Sequence, residues 1–163
     1  MITYRRASEA DIATIRRLAN EIWHDCYRAI LSDEQKAYML EMMYSEKVIR
    51  NELQEGIVWE MMVYKGDDVG FISVEEKNQR LKLHKLYLHP DLQGKGFGSQ
   101  ALKHVLDYGA SLHVKDVYLN VNKHNANAIR AYERMGFVRT DEGVFDIGGG
   151  YVMDDFIYSY SIK

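Results

Sequence analysis

The sequence predicts an α/β protein: a mixed sheet of about seven strands with helices on both faces, in one domain spanning residues 1–163. Three observations carry this. Apolar residues recur at helical spacing through the first third of the chain. They then alternate through three segments joined by short turns, which favours antiparallel hairpins. A strand–helix–strand unit from Leu81 to Val121 follows, and such a crossover pairs its two strands in parallel.

Residues 2–6 read as a first strand. Ser8 is an N-cap with Asp11 three residues on, and Ile12, Ile15, Leu18, Ala19 and Ile22 follow on one helical face. Ser32 caps a second helix carrying Ala37, Tyr38, Leu40, Met42 and Met43. Ser45 opens a third that ends near Gly56. Strands follow at 57–64, 69–74 and 81–88, with turns at Gly66-Asp67-Asp68 and Asn78-Gln79; His89-Pro90-Asp91 stops the last of them. A glycine-rich loop leads into a helix with Ala101, Leu102, Val105, Leu106 and Gly109 on one face. Residues 117–121 form a strand and 126–135 a helix, with Gly136 at the position of a left-handed C-cap. Residues 137–147 and 151–162 close the chain as a hairpin around Gly148-Gly149-Gly150.

Composition narrows the function classes. The net charge of −3 provides no basic field for nucleic acid. The one cysteine, Cys26, cannot form an internal disulfide, and no Cys/His cluster has zinc spacing, so no metal is expected. No apolar run reaches the roughly 18 residues of a membrane span, and the opening residues lack a signal-peptide pattern. A cytoplasmic protein, monomeric or homodimeric, is expected.

The strongest chemical signal is Gln93-Gly94-Lys95-Gly96-Phe97-Gly98-Ser99, between a strand end and a helix start. First-turn N–H groups lack intrahelical partners and, with the helix dipole, attract anions. Gly94, Gly96 and Gly98 let a phosphate approach the backbone, and Lys95 adds positive charge. The G-x-x-x-x-G-K-[ST] nucleotide pattern is absent. Gly96 to Ala101 reads G-x-G-x-x-A, but a dinucleotide site also needs a carboxylate about 20 positions on. That neighbourhood is Asn120-Val121-Asn122.

Residues 86–98, Leu86-Tyr87-Leu88-His89-Pro90-Asp91-Leu92-Gln93-Gly94-Lys95-Gly96-Phe97-Gly98, resemble the cofactor motif of the GNAT acetyltransferase superfamily, Q/R-x-x-G-x-G/A. Residues 125–137, from Asn125 through Ala128 and Tyr132 to Gly136-Phe137, resemble its N-x-x-A-x-x-x-Y-x-x-x-G-F segment. Residues 81–140 carry the resemblance; residues 1–56 match in layout. The resemblance implies a GNAT-like acyl-CoA N-acyltransferase fold, with acetyl-CoA as co-substrate and a small-molecule amine as acceptor. It implies that Leu86, Tyr87 and Leu88 pair with the pantetheine arm, and that Gly94 through Ser99 hold the pyrophosphate. Gln93 takes the motif's first polar position. Asn125 hydrogen-bonds the arm, and Tyr132 protonates the leaving thiolate. On the residues alone, Asn125 reads as a helix N-cap and Tyr132 as a core aromatic beside Ala128 and Ile129.

Several protein N-terminal acetylating members carry a glutamate where this chain has Asn120, which cannot act as a base. Glu75 and His84, on neighbouring predicted strands, are the candidate bases. A small amine arriving partly deprotonated needs none. The resemblance implies an acceptor pocket built from the N-terminal helices and the last hairpin, which makes Trp23, His24, Asp25 and Tyr27, with Asp146, Tyr151, Asp154 and Asp155, its candidates; aromatics with carboxylates suit an alkylammonium. Residues 125–140 and the glycine-rich hairpin are similar to the bacterial spermine/spermidine branch, which points to a polyamine. Protein or peptide acetylation and a non-catalytic acyl-CoA-binding module are the alternatives.

Overall fold

The computed structural model describes residues 1–162. The chain separates into two compact units: Met1–Glu75 with Lys85–Phe97, and Glu76–His84 with Gly98 onward. Seven strands form a mixed sheet in the order β1-β2-β3-β4-β5-β7-β6, with β4–β5 parallel and the pairs β1–β2, β2–β3, β5–β7 and β6–β7 antiparallel.

The first unit contains β1 (Thr3–Arg6), α1 (Ile12–Cys26), α2 (Asp33–Tyr44), α3 (Glu46–Gln54), β2 (Val58–Tyr64), most of β3 (Asp67–Lys77) and the end of β4 (Arg80–Leu88). Its helix starts are set locally. The Ser8 N–H donates to Asp11 Oδ2 at 2.9 Å; a 3-10 turn, Glu9–Asp11, comes before the α-helix expected directly after Ser8. The Ser32 and Ser45 hydroxyls accept from the Gln35 and Val48 N–H groups at 3.1 and 3.3 Å. Ile12, Ile15, Leu18, Ala19 and Ile22 are all buried, as their spacing requires.

The core is aromatic: Tyr44 stands edge-on to Trp23, Phe71 and Trp59 at 5.7, 5.6 and 6.3 Å. The β2–β3 turn differs from the sequence reading. Lys65 and Gly66 both have positive φ (51° and 85°), so they form the two-residue turn, and Asp67 and Asp68 belong to the strand. Gly70 allows the closest backbone approach. A Cβ there would lie 2.3 Å from the Tyr87 carbonyl oxygen.

The second unit holds the start of β4, β5 (Asp116–Asn122), α5 (Ala126–Arg134), β6 (Val138–Gly148), β7 (Tyr151–Ser161) and α4 (Phe97–Ser111) from Gly98 on. The β4–β5 ladder runs from Arg80 and Asp116 to Lys82 and Tyr118. The buried stripe of α4 is the expected Ala101, Leu102, Val105, Leu106 and Gly109. A Cβ on Gly109 would lie 3.1 Å from Val117 and 3.5 Å from Leu81, so this glycine seats the helix close to the sheet. Helix α5 buries no residue fully; Tyr158 of β7 ties it down through a 2.8 Å hydrogen bond from its hydroxyl to Glu133. Gly136 ends α5 with φ +102°.

Candidate active site

In the first unit, β4 ends in a short 3-10 turn, Pro90–Leu92, in which His89 Nδ1 accepts from the Asp91 N–H at 3.2 Å. Gln93 Nε2 donates to the Leu88 carbonyl at 3.0 Å and folds the loop back onto the strand that precedes it. Gly94 and Gly96 have φ of +78° and +84°. A side chain at either is strained whatever space it meets. No atom lies within 4 Å of where a Cβ would stand on Gly94, Gly96 or Gly98. Gly94, Lys95, Gly96 and Ser99 are exposed, and α4 begins at Phe97, whose ring lies 5.1 Å from that of Tyr64. The result is an open cradle of backbone at a helix start, which fits an anionic ligand such as a pyrophosphate.

Leu86, Tyr87 and Leu88 form the last turn-free stretch of β4. The Tyr87 hydroxyl lies 3.1 Å from that of Tyr27, and its ring lies 6.0 Å from Trp23. Burial, reinforced by Tyr27, pushes the Tyr87 phenol well above the ordinary tyrosine range, so it stays neutral. Among the candidates at the end of α1, Trp23 and the C-cap Tyr27 are buried, while His24 and Asp25 are exposed.

In the second unit, Asn125 is the N-cap of α5: its Oδ1 accepts from the Ala128 N–H at 3.3 Å, and its own N–H donates to the Asn122 carbonyl at 3.0 Å. Tyr132 is half-buried, with its ring 5.8 Å from Phe137. It is thus neither a core aromatic nor a free surface one. His84 and, in the first unit, Glu75 are half-buried as well.

The closing hairpin contains an unexpected arrangement. Asp146 accepts from the Gly148 N–H at 2.8 Å and shapes the turn before Tyr151. Asp154 pairs with Lys123 at 2.9 Å, and Lys123 also meets Glu142 at 2.9 Å. Asp155 points to the other face of β7. It lies opposite Asn122 of β5 and Gly143 of β6, and is only 2% exposed. The Asn120 amide hydrogen-bonds its carboxylate, while Oδ2 has no hydrogen-bond partner. Burial raises the Asp155 carboxyl above the usual aspartate range; Asn120, Lys82 and Lys123 oppose that rise and Asp154 adds to it.

A model of the Acetyltransferase (GNAT) family matches residues 16–137. The chain belongs to this family. The matched span crosses both units. The spermine/spermidine N(1)-acetyltransferase of Bacillus subtilis is 35% identical over 101 residues, 56% of this chain and 65% of that protein, so the match spans just under two thirds of the relative's length. A peptidyl-lysine N-acetyltransferase of Salmonella typhimurium is 28% identical over 84% of this chain and 87% of its own. A solved PaiA N-acetyltransferase of Thermoplasma acidophilum, in complex with coenzyme A, matches with TM-score 0.86 at 23% identity over 99% of each chain, a likeness of fold. Among the described residues no helix is long and apolar enough to cross a membrane, and no cluster of His, Cys, Asp or Glu is placed to hold a metal ion.

Sequence reasoning missed the buried Lys85 and the half-buried Glu52 near it. Lys85 is 9% exposed and lies over the Trp59 and Tyr44 rings at 5.0 and 5.4 Å. Glu52 accepts from Trp59 Nε1 at 3.1 Å, and burial raises its carboxyl while Lys85 opposes the rise. The signal was present: Lys85 stands in the strand register of Leu81 and Leu83, the inward set.

Proposed function

We propose that this chain transfers an acetyl group from acetyl-CoA directly to a primary amine, with residues 1–163 working as one acetyltransferase domain. The observation that carries the reading is the loop Gln93–Ser99, whose positive-φ glycines leave open backbone at the start of α4 in a member of this family. The backbone of Gly94, Gly96, Phe97, Gly98 and Ser99 binds the pyrophosphate, and Lys95 adds charge from the exposed side. Gln93 holds the loop in that shape through Leu88. Leu86 and Tyr87 offer strand backbone to the pantetheine amides, with Leu88 contributing what its carbonyl retains beside Gln93. Asn125 fixes the start of α5 and presents its amide to the arm.

Tyr132 acts on the leaving group. A thiolate, with conjugate-acid pKa about 8.5, takes a proton or hydrogen bond from a phenol of pKa about 10. The acceptor we favour is a small polyamine, following the spermine/spermidine relative. The peptidyl-lysine relative, which aligns over more of the chain, supports a lysine side chain as the second reading. Both acceptors present an alkylammonium.

The test is thiol release from acetyl-CoA with spermidine, spermine, n-propylamine and a lysine peptide. Amine-dependent release with an acetylated product supports the reading; release with none of them refutes it. Tyr132→Phe separates an enzyme from a binding module. We expect kcat to fall by about 10²-fold or more, while the Kd for acetyl-CoA stays within about twofold. Equal turnover in wild type and variant would remove Tyr132 from the mechanism.

A further inference from the structure

We propose that Asp155 is the general base that deprotonates the acceptor ammonium, with Asn120 as the residue that positions it. The inference rests on the acetyl-transfer reading and adds to it the group that makes the amine nucleophilic. An alkylammonium of pKa about 10.4 is roughly a thousandfold short of free amine near pH 7.4. A base in the site removes that deficit by accepting the proton from the bound ammonium.

Among the described residues of the second unit, Asp155 is a carboxylate that is buried and whose Oδ2 has neither a hydrogen-bond donor nor an ion-pair partner, whereas the enclosed Asp154 Oδ1 is held by Lys123 at 2.9 Å. Asp146 is spent on its turn, and Asp154 and Glu142 are paired with Lys123. The groups around Asp155 are Asn120 and Asn122 on β5, Lys82 on β4, Lys123 after β5, Asp154 beside it and Gly143 across on β6. The Asn120 amide hydrogen-bonds the carboxylate, and Oδ2 is left as a buried acceptor without a donor. A buried carboxylate is a stronger base than a solvated one. It also attracts a cation.

The same stretch of chain connects this base to the acid. Asn122 lies opposite Asp155, and its carbonyl receives the N–H of Asn125, the cap of the helix that carries Tyr132. Base and acid thus hang from one strand end.

The Asp155 carboxylate takes one proton from the ammonium. The freed lone pair forms the N–C bond to the acetyl carbonyl as the C–S bond breaks. The thiolate takes the Tyr132 phenol proton. The second proton shed by the new amide nitrogen returns to the Tyr132 phenolate, and Asp155 gives its proton to solvent. Ammonium and thioester become amide, thiol and one proton.

The experiment compares wild type with Asp155→Asn and Asp155→Glu at saturating acetyl-CoA, across pH 6–9. One acceptor is n-propylamine, of alkylamine pKa about 10.4; the other is glycinamide, whose amine resembles an α-amino group of pKa about 8. With n-propylamine, Asp155→Asn should lose about 10²-fold or more in kcat/KM and gain rate with pH as free amine accumulates. With glycinamide at pH 9 the deficit should shrink at least tenfold, with acetyl-CoA affinity unchanged and Asp155→Glu partly active. An equal loss with both amines at every pH means a structural role and overturns the proposal, as does no loss.

A wild type that turns over no amine overturns both this and the acetyltransferase reading. An active wild type with an indifferent Asp155→Asn overturns this proposal alone. Should the variants not fold, carboxyl-carbon NMR of the wild type decides. Asp155 must titrate above the ordinary aspartates and shift when n-propylamine joins the coenzyme A complex; an Asp155 signal that does neither overturns the assignment.

Discussion

Replacing Gly96 by Ala gives the clearest separation between what the loop does for the fold and what it does for the ligand. Gly96 has φ +84°, and no atom lies within 4 Å of the added Cβ. The cost to the free protein is therefore backbone strain alone, about 1–2 kcal/mol for an L-residue in the left-handed region. For a chain of this size that is a fall in Tm of roughly 2–8 °C, at about 2–4 °C per kcal/mol. The cost to binding is larger, because the Cβ occupies the space through which a phosphate reaches the N–H groups. Losing one charge-assisted hydrogen bond is worth about 1.5–3 kcal/mol, or roughly 10- to 150-fold in Kd. Gly98→Ala is the control. Gly98 has no positive φ and equally open surroundings, and the family pattern allows alanine there. It should leave Tm within a small margin and weaken Kd less than Gly96→Ala does, because it adds no backbone strain to the loop. Calorimetric titration with coenzyme A and with pantetheine, which lacks the pyrophosphate, reads the difference. Gly96→Ala should weaken coenzyme A and leave pantetheine alone. A variant with lowered Tm and unchanged coenzyme A affinity would refute the assignment of the pyrophosphate to this loop.

Two further outcomes follow from the packing. Gly70→Ala places a Cβ 2.3 Å from the Tyr87 carbonyl oxygen and 3.1 Å from the Leu88 Cα, backbone that cannot rotate away. Thermal unfolding should show a loss of about 2–3 kcal/mol, with weakened acetyl-CoA binding because the end of β4 moves. Asp11 has its carboxyl held below the usual range by hydrogen bonds from Arg5 and from the Ser8 N–H. A depressed folded pKa contributes stability that is present above the unfolded pKa of about 3.9 and is lost as pH falls through the folded value. Asp11→Asn should therefore lower stability by about 1–2 kcal/mol at pH 7. The gap from wild type should close as the pH is taken below about 4.

Local chemistry made most of the fold legible. Ser32, Ser45, Asn125 and Gly136 cap their helices as their residue types require. The Gly66-Asp67-Asp68 turn was misplaced because its composition looks like a turn, whereas the chain turns on Lys65, a residue that seldom takes positive φ. The insertion of β7 between β5 and β6 joins segments far apart in sequence, and nothing local specifies it. The candidate site divides the same way. The glycines of the loop and the cap Asn125 announce themselves, because backbone geometry restricts the residue type. The Asn120–Asp155 contact depends on the register of β5 against β7, so the sequence could offer Asp155 only as one carboxylate among several in the hairpin. Lys85 and Glu52 were missed because a lysine and a glutamate read as surface residues until the aromatic rings around them are seen.

The most direct measurement of the central claim follows the acetyl group itself. The protein is mixed with acetyl-CoA carrying a labelled acetyl group and with spermidine, and both label and free thiol are counted. Direct transfer puts label on the amine nitrogen in step with thiol release, and gives neither thiol release nor labelled protein when the amine is left out. Label on the protein without amine would mean an acyl-enzyme, with Cys26 the first residue to examine, and would contradict direct transfer. Tight acetyl-CoA binding with no transfer to spermidine, n-propylamine or a lysine peptide would contradict catalysis altogether.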